Sequence, residues 1–353
     1  MHPTLKIRHL ARSRYSFLMA VLVLCCCVLV RSRASSAFVP SHAPTQQNAQ
    51  RSVAITIDDL PGAEPGADHA IGNLEYLQKI NHAIPAVLRA HHVQGIGFVN
   101  EWKLQIDGQR DARAALLQSW LDAGMTLGNH TYSHPDFTKT PLAQYEDEVI
   151  RGEVVTRTLL AASGKKEEWF RHPFLSTGPT PDAKAAFEAF LKERGYRVAP
   201  VTIDPSDYMF NDILGEAKKN HDSELEAKTK GEYFDYANTI FSFEERASQD
   251  LFGREIPQVL LLHDSELNAD CVDTLLTQIE KRGYKFVSLD EALADPAYAT
   301  PDLYVGPLGI SWLTRWRLSF GKPLDDQATP DPPKWVSDKF DQIRSARSKQ
   351  SAP

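Results

Sequence analysis

Val53-Ala54-Ile55-Thr56-Ile57-Asp58-Asp59 is an apolar, β-branched run that ends in two adjacent carboxylates. Such a run is typical of a buried β-strand, and it places both carboxylates at the C-terminal end of that strand. Neighbouring carboxylates repel each other, so both ionise readily only when a cation lies on at least one of them. The pair therefore predicts a cation site at the end of the first strand.

Short apolar runs alternate with longer amphipathic runs between Gln46 and Leu293, which is typical of repeated βα units. The predicted strands are Val53–Ile57, Gly95–Val99, Met125–Gly128, Trp169–Arg171, Arg197–Ile203, Val259–Leu262 and Lys285–Leu289. The predicted helices are Leu74–Ala90, Asp111–Ala123, Leu142–Ala162, Asp182–Arg194 and Ala269–Lys281. Four of these helices are followed by a glycine where a left-handed cap is expected: Gly124, Gly164, Gly195 and Gly283. This α/β pattern predicts a distorted (β/α) barrel of about seven parallel strands.

Residues suited to catalysis follow five of the predicted strands. They are Asp58 and Asp59 after the first strand, His130 after the third, Arg171 after the fourth, Asp204 and Asp207 after the fifth, and His263 after the sixth. The carboxyl ends of parallel strands meet on one face of the fold, so these side chains are expected to lie close together.

His130 and His134 are spaced by four residues, which predicts that both imidazoles lie on one side of a helical turn. Two histidines and one carboxylate leave coordination positions open for water and substrate, as catalytic zinc sites do. Asp59 is the natural third ligand. The sequence therefore predicts one divalent ion, and zinc suits this ligand set best.

Five motifs, in this order, resemble those of the polysaccharide deacetylase family, which is also called the NodB-homology domain. They are Thr56-Ile57-Asp58-Asp59, His130-Thr131-Tyr132-Ser133-His134-Pro135, Arg171-His172-Pro173-Phe174, Asp204-Pro205-Ser206-Asp207-Tyr208 and Leu261-Leu262-His263. The resemblance spans roughly residues 50–293.

The resemblance implies a role for each matching residue. Asp58 would be the general base, His263 the general acid, and Asp59, His130 and His134 the metal ligands. Arg171 would orient the base, and the amide of Phe174 would help to hold the oxyanion. Tyr208 replaces the family's usual tryptophan, and Phe174, Tyr208 and Leu261 are the candidate substrate-binding residues. From its chemistry, Asp207 is expected to bond the second nitrogen of His263 and raise its pKa.

Several of these residues also have structural interpretations. Asp204 and Asp207 form a good helix entry, and Arg171 suits a surface ion pair. His263 suits a satisfied core histidine, and a structural role is favoured for His172. Tyr208 and Trp102 are either sugar-stacking walls or core.

The N-terminus has the layout of a secretory signal at residues 1–37. Basic residues precede an apolar stretch, Phe17–Val30, that is too short for a typical membrane-spanning helix. Arg31 and Arg33 leave an uncleaved anchor as the alternative, although no stable membrane span is expected. Removing residues 1–37 takes away six of the 39 basic residues and none of the 46 acidic ones, leaving a net charge of −13. That charge argues against a nucleic-acid partner, and the sequence favours an exported protein.

The remaining chain divides into three further predicted parts. Residues 211–254 are a polar, helix-prone insert within the deacetylase domain at 50–293, either a lid or wall of the site or a solvated excursion. Residues 294–324 carry an aromatic stripe, Trp312, Trp316 and Phe320, that predicts packing on the barrel. Residues 325–353 are predicted to be a disordered tail. Cys271, the cysteine left after processing, has no internal disulfide partner and suits a small buried residue.

The predicted function is an exported, metal-dependent hydrolase that removes acetyl groups from an N- or O-acetylated polysaccharide. One alternative keeps the metal chemistry but acts on a non-carbohydrate amide or a small acylated metabolite, because fold and metal do not fix the leaving group. The other alternative is a glycan-binding protein without turnover. The sequence leaves the glycan and the oligomeric state open.

Overall fold

The computed structural model describes residues 51–63, 73–306, 309–324 and 329–350. All of them belong to one structural unit, Asn48–Pro353. The predicted signal at residues 1–37 lies outside the described residues. Within the described ranges, no helix is both long enough and apolar enough to cross a membrane.

The described strands form one parallel sheet in the order β5-β4-β3-β2-β1-β6, and β7 pairs with the beginning of β1. They are β1 (Ser52–Leu60), β2 (Ile96–Val99), β3 (Thr126–Asn129), β4 (Trp169–Phe170), β5 (Arg197–Val198), β6 (Gln258–His263) and β7 (Lys285–Phe286). The number and direction of the strands agree with the sequence prediction.

The chain that continues from β5 brings the two edges of the sheet together. Ala199 N donates to Phe170 O of β4 at 2.8 Å, and Leu261 N of β6 donates to Ile203 O at 3.0 Å. An isolated parallel bridge joins Ile203 to Leu260 of β6. The segment therefore changes partner along its length, which explains why the predicted strand Arg197–Ile203 is regular only over its first two residues. The predicted distorted (β/α) barrel is confirmed.

Helices surround the sheet. They are α1 (Leu74–Ala90), α2 (Arg110–Asp122), α3 (Leu142–Arg151), α4 (Val154–Ala162), α5 (Pro181–Glu193), α6 (Asp207–Lys219), α7 (Ser223–Phe252), α8 (Glu266–Lys281), α9 (Leu289–Leu293), α10 (Trp312–Ser319) and α11 (Lys334–Gln350). In α1, Leu77, Ile80, Ile84 and Leu88 are buried at helical spacing, and the Asn73 side chain caps the first turn by accepting from Tyr76 N at 3.1 Å. An apolar face of this kind holds a helix on the sheet, each buried side chain contributing about 1.5–3 kcal/mol.

The single helix predicted over Leu142–Ala162 is divided into α3 and α4 at Gly152. A Cβ atom at Gly152 would lie only 2.7 Å from Thr131 C and 2.8 Å from Tyr132 N. Glycine here allows the end of α3 to approach the backbone of the loop that follows β3. The helix break at Gly152 therefore makes room for the loop that carries His130 and His134.

The predicted insert forms most of α6 and all of α7. Helix α7 buries Tyr233, Ile240 and Phe241 in the main core, so it belongs to the outer helical layer. Asn211 and Asp212 of α6 line the pocket described below. The insert therefore contributes part of the pocket wall at its beginning, and its long helix is packed rather than solvated.

The C-terminal extension packs on the same body. Trp312 and Trp316 of α10 are buried beside Leu251 and Phe252 of α7, and Trp312 N donates to Val201 O at 2.7 Å. Phe320 follows the end of α10 and is 46% exposed.

The tail differs from the sequence prediction, because residues 334–350 form helix α11 instead of a disordered segment. Val336 and Ile343 are buried in the main core, and Phe340 packs against it. These three apolar residues recur at helical spacing within a polar composition, which explains why composition alone predicts disorder here.

Candidate metal centre and catalytic site

Asp58 and Asp59 lie where β1 ends, on a strand buried between β2 and β6. Asp58 pairs in register with His263 of β6 and is 2% exposed. The backbone then turns sharply, with Asp59 at a φ of 71°. Because Asp59 is left-handed and the residues before it are extended, the two carboxylates point in different directions although they are adjacent in sequence.

Among the described residues, Asp59, His130 and His134 form a cluster that could hold a metal ion, with one donor atom from each lying within 4.8 Å of the others. His134 Nε2 lies 3.6 Å from Asp59 Oδ1, and His130 Nε2 lies 3.9 Å from the same oxygen. The three residues come from two strand ends that meet at one face of the sheet. The structure thus brings together all three predicted ligands.

The loop that carries the histidines is not helical, so the prediction of a shared helical turn is wrong. Thr131 and His134 both have positive φ angles, 66° and 61°. Glu148 of α3 holds the loop, because its carbonyl accepts from Tyr132 N at 2.9 Å and its carboxylate from Ser133 N at 2.6 Å. These contacts fold the loop back and bring the imidazoles together without a helix.

His130 is oriented as a metal ligand. Its Nδ1 lies 2.8 Å from Arg171 O, so Nδ1 carries the proton and Nε2 keeps its lone pair toward Asp59. Burial, followed by the charge of His134, holds the pKa of His130 well below its ordinary value. A neutral imidazole beside an ionised carboxylate is the state that a cation needs. The residues therefore fit a divalent ion.

Arg171 is fully buried and contacts the candidate base. Its Nη1 lies 3.3 Å from Asp58 Oδ2, and its Nη2 donates to Thr56 Oγ1 at 3.0 Å. Burial raises the pKa of Asp58 to about 7, while the charge of Arg171 opposes that rise. Among the described residues, Asp58 Oδ1 has no hydrogen-bond partner. The carboxylate is thus fixed on one oxygen and free to accept a proton on the other.

Lys103 adds a buried positive charge beside Asp59. Its Nζ lies 3.4 Å from Asp59 Oδ1, and the side chain is 1% exposed. Burial opposes ionisation of Asp59, but Lys103 and the surrounding histidines hold its pKa below the ordinary value. Asp59 is therefore a carboxylate, as a metal ligand must be.

His263 is held by Asp207, the first residue of α6. Its Nδ1 lies 2.6 Å from Asp207 Oδ1, and its backbone N donates to Asp207 Oδ2 at 2.8 Å. Burial opposes protonation of His263, but the Asp207 carboxylate raises its pKa to about 10. Asn268 Nδ2 also donates to Asp207 Oδ2. Asp207 therefore does more than begin a helix.

These groups line a pocket of about 490 Å³. Its walls include Asp58, Asp59, Ala63, Lys103, His130, His134, Asp136, Lys139, His172, Phe174, Leu175, Asp204, Tyr208, Asn211, Asp212, Leu261, His263, Ser265, Gly309 and Arg344. The predicted substrate-binding residues Phe174, Tyr208 and Leu261 are all present. Arg171 and Asp207 are not part of this lining, but they contact Asp58 and His263, which are.

Two of the aromatic candidates contact the rings of candidate site histidines. The ring of Phe174 lies 4.6 Å from that of His134, and the ring of Tyr208 lies 6.1 Å from that of His263. Both side chains are exposed, Phe174 by 56% and Tyr208 by 40%. Trp102 does not line the pocket.

His172 and Asp204 have structural contacts as well as places in the pocket lining. His172 is buried against the rings of Tyr145, Phe170 and Phe187, and burial holds its pKa well below the ordinary value. Asp204 Oδ1 accepts from Ser206 N at 2.8 Å.

Sequence reasoning missed Lys103 and Arg344. Lys103 follows β2, a strand end at which no catalytic or metal-binding residue was predicted, and its position after a strand was the signal that could have pointed to it. Arg344 comes from α11, where composition suggested disorder.

Residues 45–198 match the model of the polysaccharide deacetylase family. These residues belong to the polysaccharide deacetylase family. The match contains the candidate base Asp58, the three candidate ligands and Arg171, whereas Asp207 and His263 lie beyond it. Peptidoglycan-N-acetylmuramic acid deacetylase PdaA of Bacillus subtilis is 23% identical over 222 residues, which are 62% of this chain and 67% of that protein. An uncharacterized 30.6 kDa protein of Geobacillus stearothermophilus is 23% identical over 219 residues, with the same shares.

Solved structures also resemble this chain, with lower sequence identities than these two relatives. A family 4 carbohydrate esterase from Streptomyces lividans, in complex with acetate, aligns with 69% of this chain and 95% of its own, at 19% identity and a TM-score of 0.41. A family 4 pseudoenzyme from Bacillus anthracis aligns with 70% of this chain and 66% of its own, at 18% identity and a TM-score of 0.44. No activity follows from likenesses at this level.

Proposed function

We propose that this polysaccharide deacetylase family member is a metal-dependent hydrolase that removes acetyl groups from an N- or O-acetylated saccharide. The observation that carries the proposal is the cluster of Asp59, His130 and His134, with Asp58 and His263 lining the same pocket. Zinc suits these three donors best. A bound divalent ion would lower the pKa of a water and polarise the acetyl carbonyl.

Asp58 takes the proton of the attacking water as the water oxygen bonds to the acetyl carbon. Its unpartnered Oδ1 is the accepting atom, because Oδ2 is held by Arg171. The Arg171 charge favours the ionised carboxylate and so offsets part of the cost of burial. The amide of Phe174 is proposed to donate to the oxyanion that forms on the acetyl oxygen.

His263 gives its proton to the departing nitrogen or oxygen as the bond to the acetyl carbon breaks. It is protonated at neutral pH because Asp207 raises its pKa to about 10. The contact between Asp207 Oδ1 and Nδ1 leaves Nε2 as the donating atom. The products are acetate and a free amine or alcohol, and Asp58 holds the water's proton until the site is reset.

The pocket wall favours a second candidate substrate, a short acylated molecule. Gly309 of the C-terminal extension and Arg344 of α11 both line the pocket, so the wall is extended by parts of the chain outside the predicted deacetylase domain. A walled pocket suits a chain end or a small acylated metabolite better than the middle of a polymer. A binding protein without turnover is disfavoured, because the residues proposed as base and acid, Asp58 and His263, both line the pocket.

Export is proposed from the sequence at residues 1–37, where basic residues precede a short apolar stretch.

Metal content and acetate release, measured on the same preparations, test the proposal. Wild type is expected to bind one equivalent of divalent metal and to release acetate from an acetylated saccharide panel that includes polymers, short oligomers and small acylated compounds. His130→Ala should lose the metal, and Asp58→Asn should keep it but lose acetate release. His82→Ala removes an exposed histidine of α1 and should change neither. A folded wild-type protein that binds no metal would overturn the proposal.

A further inference from the structure

We propose that Lys103 is a positioning residue for Asp59. Its ammonium group holds the turn that presents this ligand and also contacts the Asp59 carboxylate. The inference rests on the proposed function, because it takes Asp59 to bind a divalent ion. Lys103 lies outside the five motifs that resemble the family's motifs, on the 3₁₀ turn Glu101–Leu104 after β2.

The lysine ammonium bridges both ends of the turn after β1. Its Nζ donates to Asp59 O at 3.0 Å and to Gly62 O at 2.9 Å. It also lies 3.4 Å from Asp59 Oδ1. One buried side chain therefore contacts both the backbone and the carboxylate of the ligand.

The turn is one that needs such support. Asp59 and Gly62 both have positive φ angles, 71° and 152°, and the left-handed region is disfavoured for a residue with a side chain such as Asp59. A Cβ atom at Gly62 would lie 2.5 Å from Leu77 Cδ2, so the turn is pressed against α1. The two bonds from Nζ fix a conformation that Asp59 alone would not favour.

Lys103 is itself held in place. Arg113, which is fully buried, donates from Nη1 to Lys103 O at 2.8 Å, and Lys103 N donates to Asn100 O at 3.2 Å. A charged side chain that is 1% exposed is unusual unless each of its donors has a partner. Because hydrogen bonds hold both its backbone and its ammonium group, Lys103 connects the end of β2 rigidly to the turn.

The contact between Lys103 and Asp59 has two opposing effects on metal affinity. Positive charge near a cation weakens cation binding, whereas a hydrogen bond that orients a ligand strengthens it. Loss of a partner that orients a ligand typically weakens metal binding about 10- to 100-fold. Because Lys103 makes both of its short bonds to backbone carbonyls of the turn, we expect orientation to outweigh repulsion.

Lys103→Met and Lys103→Gln separate the two effects. Methionine removes both the charge and the donors, whereas glutamine removes the charge but keeps an amide donor. Lys165→Met is the control, because Lys165 Nζ also bonds a backbone carbonyl, Met125 O at 2.9 Å, just before β3 begins. The full chain is titrated with Zn²⁺ against a competing chelator, and the visible spectrum of the Co²⁺-loaded protein reports ligand geometry. Circular dichroism confirms that each variant is folded.

The expected result is a zinc dissociation constant raised about 10- to 100-fold in Lys103→Met, with an altered Co²⁺ spectrum. Lys103→Gln should bind zinc more tightly than Lys103→Met but measurably more weakly than wild type, and Lys165→Met should match wild type. Unchanged or tighter zinc binding in both Lys103 variants would overturn the inference. If wild type itself binds no metal, the proposed function fails instead. If Lys103→Met does not fold, Lys103→Gln still decides: weaker zinc binding with an altered Co²⁺ spectrum supports the inference, and unchanged or tighter binding overturns it.

Discussion

Asp58 and His263 occupy the same register position on the neighbouring parallel strands β1 and β6. Parallel neighbours lie about 4.8 Å apart, so strand pairing rather than a flexible loop sets the separation of the candidate base and acid. Each of the two is fixed by a second charged residue, Arg171 for Asp58 and Asp207 for His263. In the first pair the candidate reacting group is the carboxylate, Asp58, and the cation supports it. In the second pair the candidate reacting group is the imidazole, His263, and the carboxylate supports it.

Asp207→Asn is expected to move the alkaline limb of the activity profile toward neutral pH. Asp207 raises the pKa of His263 to about 10, and a neutral amide would let it fall toward the ordinary value of about 6.5. A general acid works only while it is protonated, so activity is lost as pH rises through that pKa. Wild type should keep its kcat to near pH 10, and the variant should lose it above about pH 7.

The check is kcat measured from pH 5 to 11 on metal-loaded protein. Asp235→Asn, an exposed carboxylate on α7, is the control and should keep the wild-type profile. An alkaline limb that does not move in Asp207→Asn would show that His263 is not the acid.

A polar chain runs from the insert to the acid and gives α7 a testable role. Tyr233 Oη donates to Asn268 Oδ1 at 3.1 Å, and Asn268 Nδ2 donates to Asp207 and to His263 O. Tyr233→Phe and Asn268→Leu should each lower the free energy of unfolding by about 1–3 kcal/mol, because a buried partner is left unsatisfied. Asn268→Leu should also lower kcat, since Asp207 loses a donor.

A double-mutant cycle on unfolding free energy and kcat tests this chain. The two substitutions should be non-additive, because each breaks the same Tyr233–Asn268 bond. Tyr284→Phe removes a hydroxyl bonded to Glu245 at 3.1 Å outside the pocket lining, and it should be additive with Asn268→Leu. Additivity in the Tyr233–Asn268 cycle would mean that α7 does not support the acid.

The order of strands and helices could be predicted from the sequence because apolar periodicity and glycine caps are local signals. The convergence of the candidate site residues could be predicted because the ends of parallel strands meet on one face whatever the details of packing. The loop from His130 to His134 could not, because its positive φ angles depend on contacts with Glu148 in another element. Lys103 was missed for the same kind of reason, since nothing local shows that a lysine will be buried.

Helix α11 shows a different limit of sequence reasoning. Its composition is polar, and its apolar residues Val336, Phe340 and Ile343 have a surface to cover only once α6 is in place. Short segments of this kind gain most of their helical stability from packing. Composition alone therefore predicts disorder for this segment, although packing against the main core makes it helical.

Gly152→Ala is expected to disturb the metal centre from outside it. The added Cβ would lie under 3 Å from two backbone atoms of the loop after β3, Thr131 C and Tyr132 N, so the loop must shift. We expect a stability loss of about 1–3 kcal/mol, as for other overpacked sites, together with weaker zinc binding. Gly231→Ala is the matched control, because nothing lies within 4 Å of its Cβ and the exchange in mid-helix should stabilise by about 0.5–1 kcal/mol.

Thermal unfolding and chelator-competed zinc titration of both glycine variants give the answer. Wild-type zinc affinity in a folded Gly152→Ala protein would show that the histidine loop does not depend on its packing against α3.

Arg344 and Arg347 provide a matched pair for the role of α11 in substrate binding. Both donate to the buried carboxylate oxygen Asp212 Oδ2, at 3.0 and 3.1 Å, but only Arg344 lines the pocket. Each alanine substitution leaves Asp212 paired with the other arginine, so each should cost only about 1 kcal/mol of stability. Arg344→Ala should raise KM severalfold for a preferred substrate at unchanged metal content, whereas Arg347→Ala should leave KM as it is. Equal KM shifts in the two variants would assign α11 a purely structural role, because Arg347 does not line the pocket. No shift in either would remove the C-terminal wall from substrate recognition and favour a substrate that binds on the Phe174 side of the pocket.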